Sequence, residues 1–355
     1  MAKDQATVYF AAAEDPKYKG AYRALGELFK TAKIADAIDK NDMVAIKTHF
    51  GELGNSWYVR PVLIHRLVEL VKAAGGRPFV TDTTTLYKHN RHDLFAHLEN
   101  ARANGFTPET LGCPVIIADG LKNNGVSVNV AGNRIIKTVN VAQAIYDADV
   151  FINAAHLTLH FDFIWAGTLK AAGMGCCTRP MKLLMHSAGK AVFTDTKCIN
   201  CGLCLRFCPG EALSRVEDKI VFDVDKCVGC GDCVSFCTGE ALDVHWGEVG
   251  TELILRTVEC AKGVISTFAP GKAWHLLFGL DVTDCCDCMS KSPPRPLTSA
   301  LGLFASQDPA AVDLVAVETM EKAGLLTGRE DQLAEFKRLI GESVLRTEGY
   351  RVQKV

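Results

Sequence analysis

Fifteen of the 355 residues are cysteines, and eight of these form two copies of the pattern Cys-x2-Cys-x2-Cys-x3-Cys. The copies comprise Cys198, Cys201, Cys204 and Cys208, and then Cys227, Cys230, Cys233 and Cys237. A cubane iron–sulfur cluster needs one thiolate for each of its four irons, and three closely spaced cysteines can bind three of them. Structural zinc sites instead use two Cys-x2-Cys pairs that lie apart in the sequence. The pattern therefore favours two [4Fe-4S] clusters over two zinc ions.

At these residues the sequence resembles the bacterial two-cluster ferredoxins. The resemblance implies two low-potential clusters in a pseudo-twofold fold, in which the last cysteine of each copy binds the cluster of the other copy. Cluster I would then be bound by Cys198, Cys201, Cys204 and Cys237, and cluster II by Cys227, Cys230, Cys233 and Cys208. The chain departs from the ferredoxin pattern at Thr238, which follows Cys237 where proline is usual.

The other seven of the fifteen cysteines lie outside the two copies. Cys285, Cys286 and Cys288 follow a predicted strand, and Cys177 lies in a glycine-rich turn. If the two loops meet, these four thiols would bind a third metal ion or cluster with an open coordination position. The alternative is that they are reduced and buried, since free cysteine is among the most buried residue types.

Short β-rich runs alternate with amphipathic helical patterns through the first third of the chain. We expect strands at Thr7–Phe10, Met43–Phe50, Pro78–Asp82, Val115–Asp119 and Val150–Ala154, and a hairpin from Val126–Val130 and Ile135–Val141. Helical patterns cover Tyr22–Ala35, Val62–Ala74 and His92–Asn104, and later Glu252–Cys260, Asp308–Met320 and Asp331–Thr347. Two further strands are expected at Ala273–Val282 and Leu301–Ser306. This alternation is typical of an α/β fold with a mostly parallel sheet and helices on both faces.

The cysteine-dense stretch interrupts this α/β pattern. The interpretation that needs fewest units is a discontinuous α/β body, residues 1–190 and 246–355, with a ferredoxin-like two-cluster insert at residues 191–245. Three domains in series are the alternative. The interrupted body is favoured because the strand and helices after the insert would make a small domain alone.

Polar residues follow several of the predicted strands. Ligands of parallel sheets bind beyond the carboxyl ends of the strands, so these residues predict a polar pocket. The candidates for substrate binding are Lys47, Asp82, Thr83, Asp281 and Asp308, and the candidates for catalysis are His156 and His160. The alternative is that they are ordinary solvated strand ends and loops.

Two lysines flank the turn Gly173-Met174-Gly175-Cys176-Cys177. A glycine turn exposes backbone N–H groups, and Lys170 and Lys182 would add positive charge, so the turn could bind an anionic substrate. His186 is a candidate proton donor near the same turn. The alternatives are solvated lysines and a structural histidine. The chain contains neither a dinucleotide-binding fingerprint nor a P-loop.

Composition excludes several function classes. The chain has 41 acidic and 39 basic residues, a net charge of -2, which argues against a nucleic-acid binder. No apolar run is long enough to cross a membrane, and no signal peptide is recognisable. We therefore expect a cytoplasmic protein whose thiols are reduced, with no nucleic-acid or membrane partner.

Outside the cysteine-dense stretch the sequence resembles the family called domain of unknown function 362. The stretches that carry the resemblance are 47–52, 81–83, 167–170 with 173–175, Lys182 with His186, 281–288 and 306–309. The resemblance implies an α/β body that accepts a ferredoxin-type insert, and it implies no substrate.

Together these observations predict an iron–sulfur oxidoreductase. Its two [4Fe-4S] clusters would pass electrons to a small, anionic substrate or to an extra metal site in the α/β body. A ferredoxin- or flavodoxin-like protein would be the electron donor. The alternatives are an electron-transfer protein that docks onto a partner enzyme, and a redox sensor. A closed polar pocket near a cluster would favour the enzyme.

Overall fold

The structure is a computed structural model that describes residues 5–13, 20–160, 163–187, 189–247, 250–288, 294–342 and 349–355. Its strands are β1 Ala6–Ala11, β2 Met43–Lys47, β3 Arg77–Asp82, β4 Val115–Ile117, β5 Gly125–Asn129, β6 Thr138–Ala142, β7 Val150–His156, β8 Thr158–His160, β9 Ile164–Ala166, β10 Val192–Phe193, β11 Leu213–Val216, β12 Lys219–Phe222, β13 Leu242–Asp243, β14 Ala273–Thr283, β15 Pro296–Ser306 and β16 Tyr350–Lys354. Its α-helices are α1 Ala21–Thr31, α2 Pro61–Ala73, α3 Leu94–Ala103, α4 Pro108–Leu111, α5 Gln143–Tyr146, α6 Thr168–Gly173, α7 Arg179–His186, α8 Leu203–Phe207, α9 Asp232–Phe236, α10 Glu252–Ile265, α11 Pro309–Lys322 and α12 Glu330–Glu342.

Eight strands form one sheet in the order β16-β1-β15-β14-β7-β2-β3-β4. Strand β15 runs antiparallel to both of its neighbours, and every other pair in this sheet is parallel. The prediction of an α/β fold with a mostly parallel sheet is therefore confirmed. The carboxyl ends of β2, β3, β7 and β14 consequently lie at one edge of the sheet.

Helices cover both faces of the sheet. Successive side chains of a strand point to opposite faces, and Ala45 and Ile46 of β2 accordingly belong to different buried apolar clusters. Helices α6, α10 and α11 pack with the cluster of Ala45. Helices α1 and α2 pack with the cluster of Ile46. Because the central strands are buried on both faces, they are mostly apolar instead of alternating between apolar and polar residues.

Several predicted strand boundaries were wrong, including the start of β15, which is Pro296 rather than Leu301. The differences in β2 and β6 have identifiable causes. Strand β2 ends at Lys47 rather than Phe50, because the chain turns there and Gly51 adopts a positive φ of 71°. Strand β6 begins at Thr138 rather than Ile135, because the buried carboxylate of Glu259 accepts the N–H groups of Ile135 (3.0 Å) and Ile136 (2.7 Å). Those backbone groups are therefore not available for strand pairing.

At the end of the chain, β16 pairs with β1 in parallel and was not predicted. Its sequence, Tyr-Arg-Val-Gln-Lys, is too polar to indicate a strand, as suits the edge of a sheet. Helix α12 ends at Glu342, and the predicted continuation to Thr347 lies outside the described residues. Within the described ranges, none of the helices combines the length and apolar character needed to cross a bilayer.

Residues 191–245, called the cysteine-rich segment below, contribute Leu213, Ile220, Val234 and Leu242 to a small apolar cluster that also contains Leu86 and Leu183 from outside the segment. The segment contains two short two-stranded sheets, β10 with β13 and β11 with β12, and the helices α8 and α9. The large sheet contains strands from both sides of this segment. We call the rest of the chain the α/β body.

Candidate active site

A cavity of about 260 Å³ lies at the carboxyl ends of β2, β3 and β7, and we call it the strand-end cavity. Its remaining walls include helices α6 and α7, the loops after β3 and β14, and Trp246. Eleven sequence-predicted site residues line it, namely Lys47, Asp82, Thr83, His156, His160, Lys170, Lys182, His186, Cys285, Cys286 and Cys288. The position agrees with the general rule for ligand sites of parallel sheets.

Three predicted site residues lie elsewhere. Cys177 is buried in the core beside Cys260, since its turn bridges back to Val141. Asp308 caps helix α11 by accepting the N–H of Ala311 at 3.0 Å. Asp281 has a positive φ of 50° and pairs with Arg60 on a separate surface. The register of β14 shifts between Gly279 and Leu280, so alternation along the strand does not carry Asp281 to the cavity.

A buried ionic network forms one wall of the cavity. The Asp82 carboxylate lies 3.5 Å from Lys47 Nζ and 3.9 Å from Arg91. Arg91 in turn donates to the fully buried Glu52 at 2.8 Å. Burial alone would raise the pKa of Asp82, but Lys47, His97 and Arg91 more than offset this, and its pKa is lowered. Asp82 is therefore an anion that fixes two cations in place.

Two other cations face the cavity without a carboxylate partner among the described residues. Lys182 donates to Thr83 Oγ1 at 2.6 Å and to the carbonyl of Thr84. Burial lowers the pKa of Lys182 and that of Lys170 to about 8, so both ammonium groups are mostly charged at pH 7. Asp119 and Asp82 act on Lys182, and Asp287 acts on Lys170, from beyond ion-pair distance. Two cations without a directly bound carboxylate make the cavity attractive to a small anion.

Three of the four cavity histidines are neutral near pH 7. Burial lowers the pKa of His186 to about 4 and lowers the pKa values of His49 and His160 well below their usual range. His156 differs because its Nδ1 lies 2.7 Å from the Asp287 carboxylate. Burial would lower the pKa of His156, but Asp287 more than offsets this effect and raises it.

The side chain of Lys170 is positioned by the start of helix α6. The buried carboxylate of Asp313 accepts the N–H of Thr168 at 2.7 Å and the N–H of Leu169 at 3.0 Å. It also accepts the Thr168 hydroxyl at 2.7 Å. A Cβ atom on Gly167 would lie 2.6 Å from the Asp313 carboxylate, so this close approach requires glycine.

In the cysteine-rich segment, the four thiols predicted for cluster I, Cys198, Cys201, Cys204 and Cys237, line one small cavity. The thiols predicted for cluster II also lie together. Burial raises the pKa of Cys233, and the electrostatic effects of the nearby Cys230, Cys227 and Cys208 raise it further. The two copies share local geometry: Gly202 and Gly231, with φ of 73° and 74°, precede equivalent helices. The N–H groups of Ala212 and Ala241 donate to Cys208 Sγ and Cys237 Sγ at 3.3 and 3.2 Å.

The second copy packs directly behind a wall of the strand-end cavity. Ser235 donates to the carbonyl of Leu86 at 3.0 Å, and Leu86 lines the cavity. Cys233 is buried on this side, whereas Cys201 of the first copy is exposed. The other six thiols of the two copies are of intermediate burial, so Cys233 is the most buried of the eight and Cys201 the most exposed.

Cys286 and Cys288 are joined by a disulfide bond. Their sulfur atoms and a ring nitrogen of His160 lie within 4.8 Å of one another, so the group could hold a metal ion if the thiols were free. Of the four cysteines predicted for a third metal site, the structure brings only Cys286 and Cys288 together with His160. Cys177 lies in the core beside Cys260, and Cys285 is not part of the group. The remaining thirteen cysteines are free.

Residues 44–318 match the family described as domain of unknown function DUF362. The chain belongs to this family. The match includes the residues that line the strand-end cavity and the whole cysteine-rich segment. The comparison with curated proteins gives no match.

Two solved structures resemble this DUF362 chain weakly. The lactate racemase apoprotein from Thermoanaerobacterium thermosaccharolyticum is 12% identical with a TM-score of 0.42, over 86% of this chain and 55% of that chain. A Thermotoga maritima protein from a structural genomics programme is 10% identical with a TM-score of 0.41, over 88% of this chain and 60% of that chain. The chain thus spans just over half the length of each.

Several cavity residues of this family member were not predicted as site residues. His49 and Asp287 stand beside predicted residues and could have been found from their strand-end positions. Tyr87 and Arg91 lie in the long loop after β3, and Trp246 follows the cysteine-rich segment. No periodic pattern places such loop residues, because tertiary contacts fix them: Arg91 reaches the cavity through its ion pair with Glu52.

Proposed function

We propose that this protein is an iron–sulfur oxidoreductase that binds a small anionic substrate in the strand-end cavity and receives electrons through two [4Fe-4S] clusters. The observation that carries the proposal is the position of the second cysteine copy. It packs behind Leu86, which lines a cavity that also contains two lysines without carboxylate partners among the described residues.

The residues present fit two cubane clusters. Each proposed set offers four thiols, and backbone N–H groups donate to Cys208 Sγ and Cys237 Sγ, as suits a sulfur that carries negative charge. The proximity of Cys208 to Cys233, Cys230 and Cys227 supports the crossed assignment. When bound, such clusters would supply single electrons at low potential.

The chain's own residues would bind and orient the substrate. Lys170 and Lys182 would form charge-assisted hydrogen bonds to the anion. Lys47 is held by Asp82 at the adjacent wall and would add to the positive field. His156, whose ring is held between Asp287 and the carbonyl of Leu280 at 2.8 Å, would keep a proton near the substrate.

The alternative is a carrier that docks onto a partner enzyme. Exposure of Cys201 and of the neighbouring Ile199, which is 63% exposed, would suit a docking surface. The enzyme reading is preferred because a carrier has no need of a charged cavity in the α/β body. If the protein is an enzyme, the first cysteine copy, which contains the exposed Cys201, would receive electrons from a ferredoxin- or flavodoxin-like donor.

Two measurements test the proposal. Anaerobic reconstitution should load about eight irons per chain, and an iron content near zero would rule the proposal out. Titration with phosphate or oxalate, followed by tryptophan fluorescence, to which Trp246 in the cavity wall contributes, should then show saturable binding. Lys170→Met should weaken that binding roughly tenfold or more, as loss of about 1.4 kcal/mol or more implies.

The exposed Lys122 provides the matched control, since Lys122→Met should leave anion binding unchanged. Affinity in the unmodified protein should fall as pH rises through about 8, where Lys170 and Lys182 lose their protons. Full iron loading without any saturable anion binding would instead favour the carrier.

A further inference from the structure

The disulfide between Cys286 and Cys288 lies in the wall of the strand-end cavity. It closes a loop of only three residues, so it removes little conformational freedom from the unfolded chain. Because the bond lies in the cavity wall and contributes little to the stability of the fold, its position suits a chemical role.

The loop that carries the disulfide is already held without it. The Asp287 carboxylate lies 2.7 Å from His156 Nδ1. The Asp287 carbonyl accepts the N–H of Glu52 and the side-chain amide of Asn55, each at 3.1 Å. Thr283 donates to the carbonyl of Cys285 at 2.6 Å. Because these contacts fix the backbone, the disulfide can be reduced and formed again without displacing the loop.

From this geometry we infer that Cys286 and Cys288 are a dithiol–disulfide couple that exchanges two electrons with the substrate of the cavity. The inference rests on the proposed function for the source of the electrons, a low-potential one-electron carrier, and for the anionic substrate of the cavity. Two electrons break the bond between the sulfur atoms, and two protons complete the two thiols. In the reverse step the dithiol gives two electrons and two protons to the oxidised substrate, and the bond forms again.

This couple would match single-electron delivery to two-electron chemistry. Iron–sulfur clusters carry one electron each, whereas most reductions of small organic anions require two. A dithiol stores both electrons beside the anion-binding lysines. The substrate class is therefore a small anion with a group that accepts two electrons and two protons.

Alkylation with iodoacetamide under anaerobic conditions, read by peptide mass spectrometry, tests the couple. After oxidation with diamide, residues 286 and 288 should resist alkylation, and both should become alkylated after treatment with dithiothreitol. A set of dithiothreitol redox buffers should give a reversible transition of two electrons per chain. Cys286→Ser and Cys288→Ser should each abolish the transition, whereas Cys285→Ser, which alters a neighbouring cavity cysteine outside the bond, should retain it.

Three results would overturn the inference. The first is a pair that stays oxidised at every buffer ratio, and the second is a pair that does not close again with diamide. The third is a zinc or iron ion beyond the cluster iron that is lost in both Cys286→Ser and His160→Gln, because the thiols would then be metal ligands.

The dithiothreitol measurements need no iron, so they remain informative if the clusters fail to form. A second arm uses reduced methyl viologen, a one-electron donor. It should reduce the pair faster in the iron-loaded protein than in a Cys233→Ser variant that keeps the dithiothreitol transition. Equal rates would disconnect the pair from the clusters and leave the dithiothreitol result unaffected.

Discussion

The guanidinium of Arg179 pairs with the carboxylate of Asp232 across the boundary between the α/β body and the cysteine-rich segment. Arg179 also donates to the carbonyl of Thr85 at 3.2 Å and to that of His92. Its side chain is buried, and it begins helix α7, which carries Lys182. One residue thereby holds the cysteine-rich segment, the loop after β3 and a cavity helix in a fixed arrangement.

Arg179→Met should therefore destabilise the protein, by about 3 kcal/mol in the free energy of unfolding, because two carbonyls lose a donor and the Asp232 carboxylate loses its charged partner and keeps the Asn123 amide at 2.8 Å. The change should be measured by urea unfolding. Arg206→Met is the matched control, since Arg206 is an exposed arginine of the same segment. Equal stabilities of the two variants would show that the Arg179 pair is not what holds the boundary.

The crossed thiol assignment makes a separate prediction. Cys208→Ser should damage the cluster of the 227–233 copy and leave the other cluster intact, because Cys208 lies beside Cys233. Iron analysis combined with electron paramagnetic resonance of the reduced protein distinguishes the two clusters. Cys113→Ser, at a buried free cysteine of the α/β body, should change neither signal. Damage confined to the cluster of the 198–204 copy would contradict the assignment.

Features of the structure that depend on the positions of strand ends could be predicted from the sequence, whereas features that depend on tertiary contacts could not. Strand-end residues such as Lys47, Asp82 and His156 were found because a parallel sheet brings the carboxyl ends of its strands to one edge. Asp281 failed the same argument, because an irregularity in β14 breaks the alternation on which it relies.

Other features follow from tertiary contacts that leave no local pattern. Arg91 enters the cavity because Glu52, 39 residues away, binds it. Cys177 was predicted to bind a third metal ion because it lies in a glycine-rich turn, but its bridge to Val141 takes it into the core. Asp308 was predicted to bind substrate, but in the structure its carboxylate caps helix α11 instead.

Lys182 links the charge of the cavity to stability. Burial lowers its pKa from 10.5 to about 8, so between these values the unfolded chain binds the proton more strongly than the folded chain does. Its contribution to stability should therefore rise as pH increases from about 8 to about 10.5. Lys182→Met lacks this titration. The free energy of unfolding of the variant minus that of the unmodified protein should be highest below pH 8. This difference should fall by about 3 kcal/mol as the pH rises to 10.5.

Urea unfolding at several pH values between 7 and 10.5 checks this prediction. Lys122→Met, at an exposed lysine, should show a stability difference that does not depend on pH. If the stability difference between Lys182→Met and the unmodified protein were also independent of pH, folding would not lower the pKa of Lys182. The argument for an anion site would then lose its electrostatic basis.

The final prediction concerns Asp313, which lies outside the cavity and positions Lys170 through the start of helix α6. Asp313→Asn should destabilise the protein by about 2 kcal/mol, because its amide replaces a carboxylate oxygen that accepts a buried backbone N–H. It should also weaken phosphate or oxalate binding, since Lys170 would no longer be held toward the ligand. Asp331→Asn, at an exposed aspartate of α12, is the control for both measurements. Lost stability with unchanged anion affinity would assign Asp313 a role in folding alone.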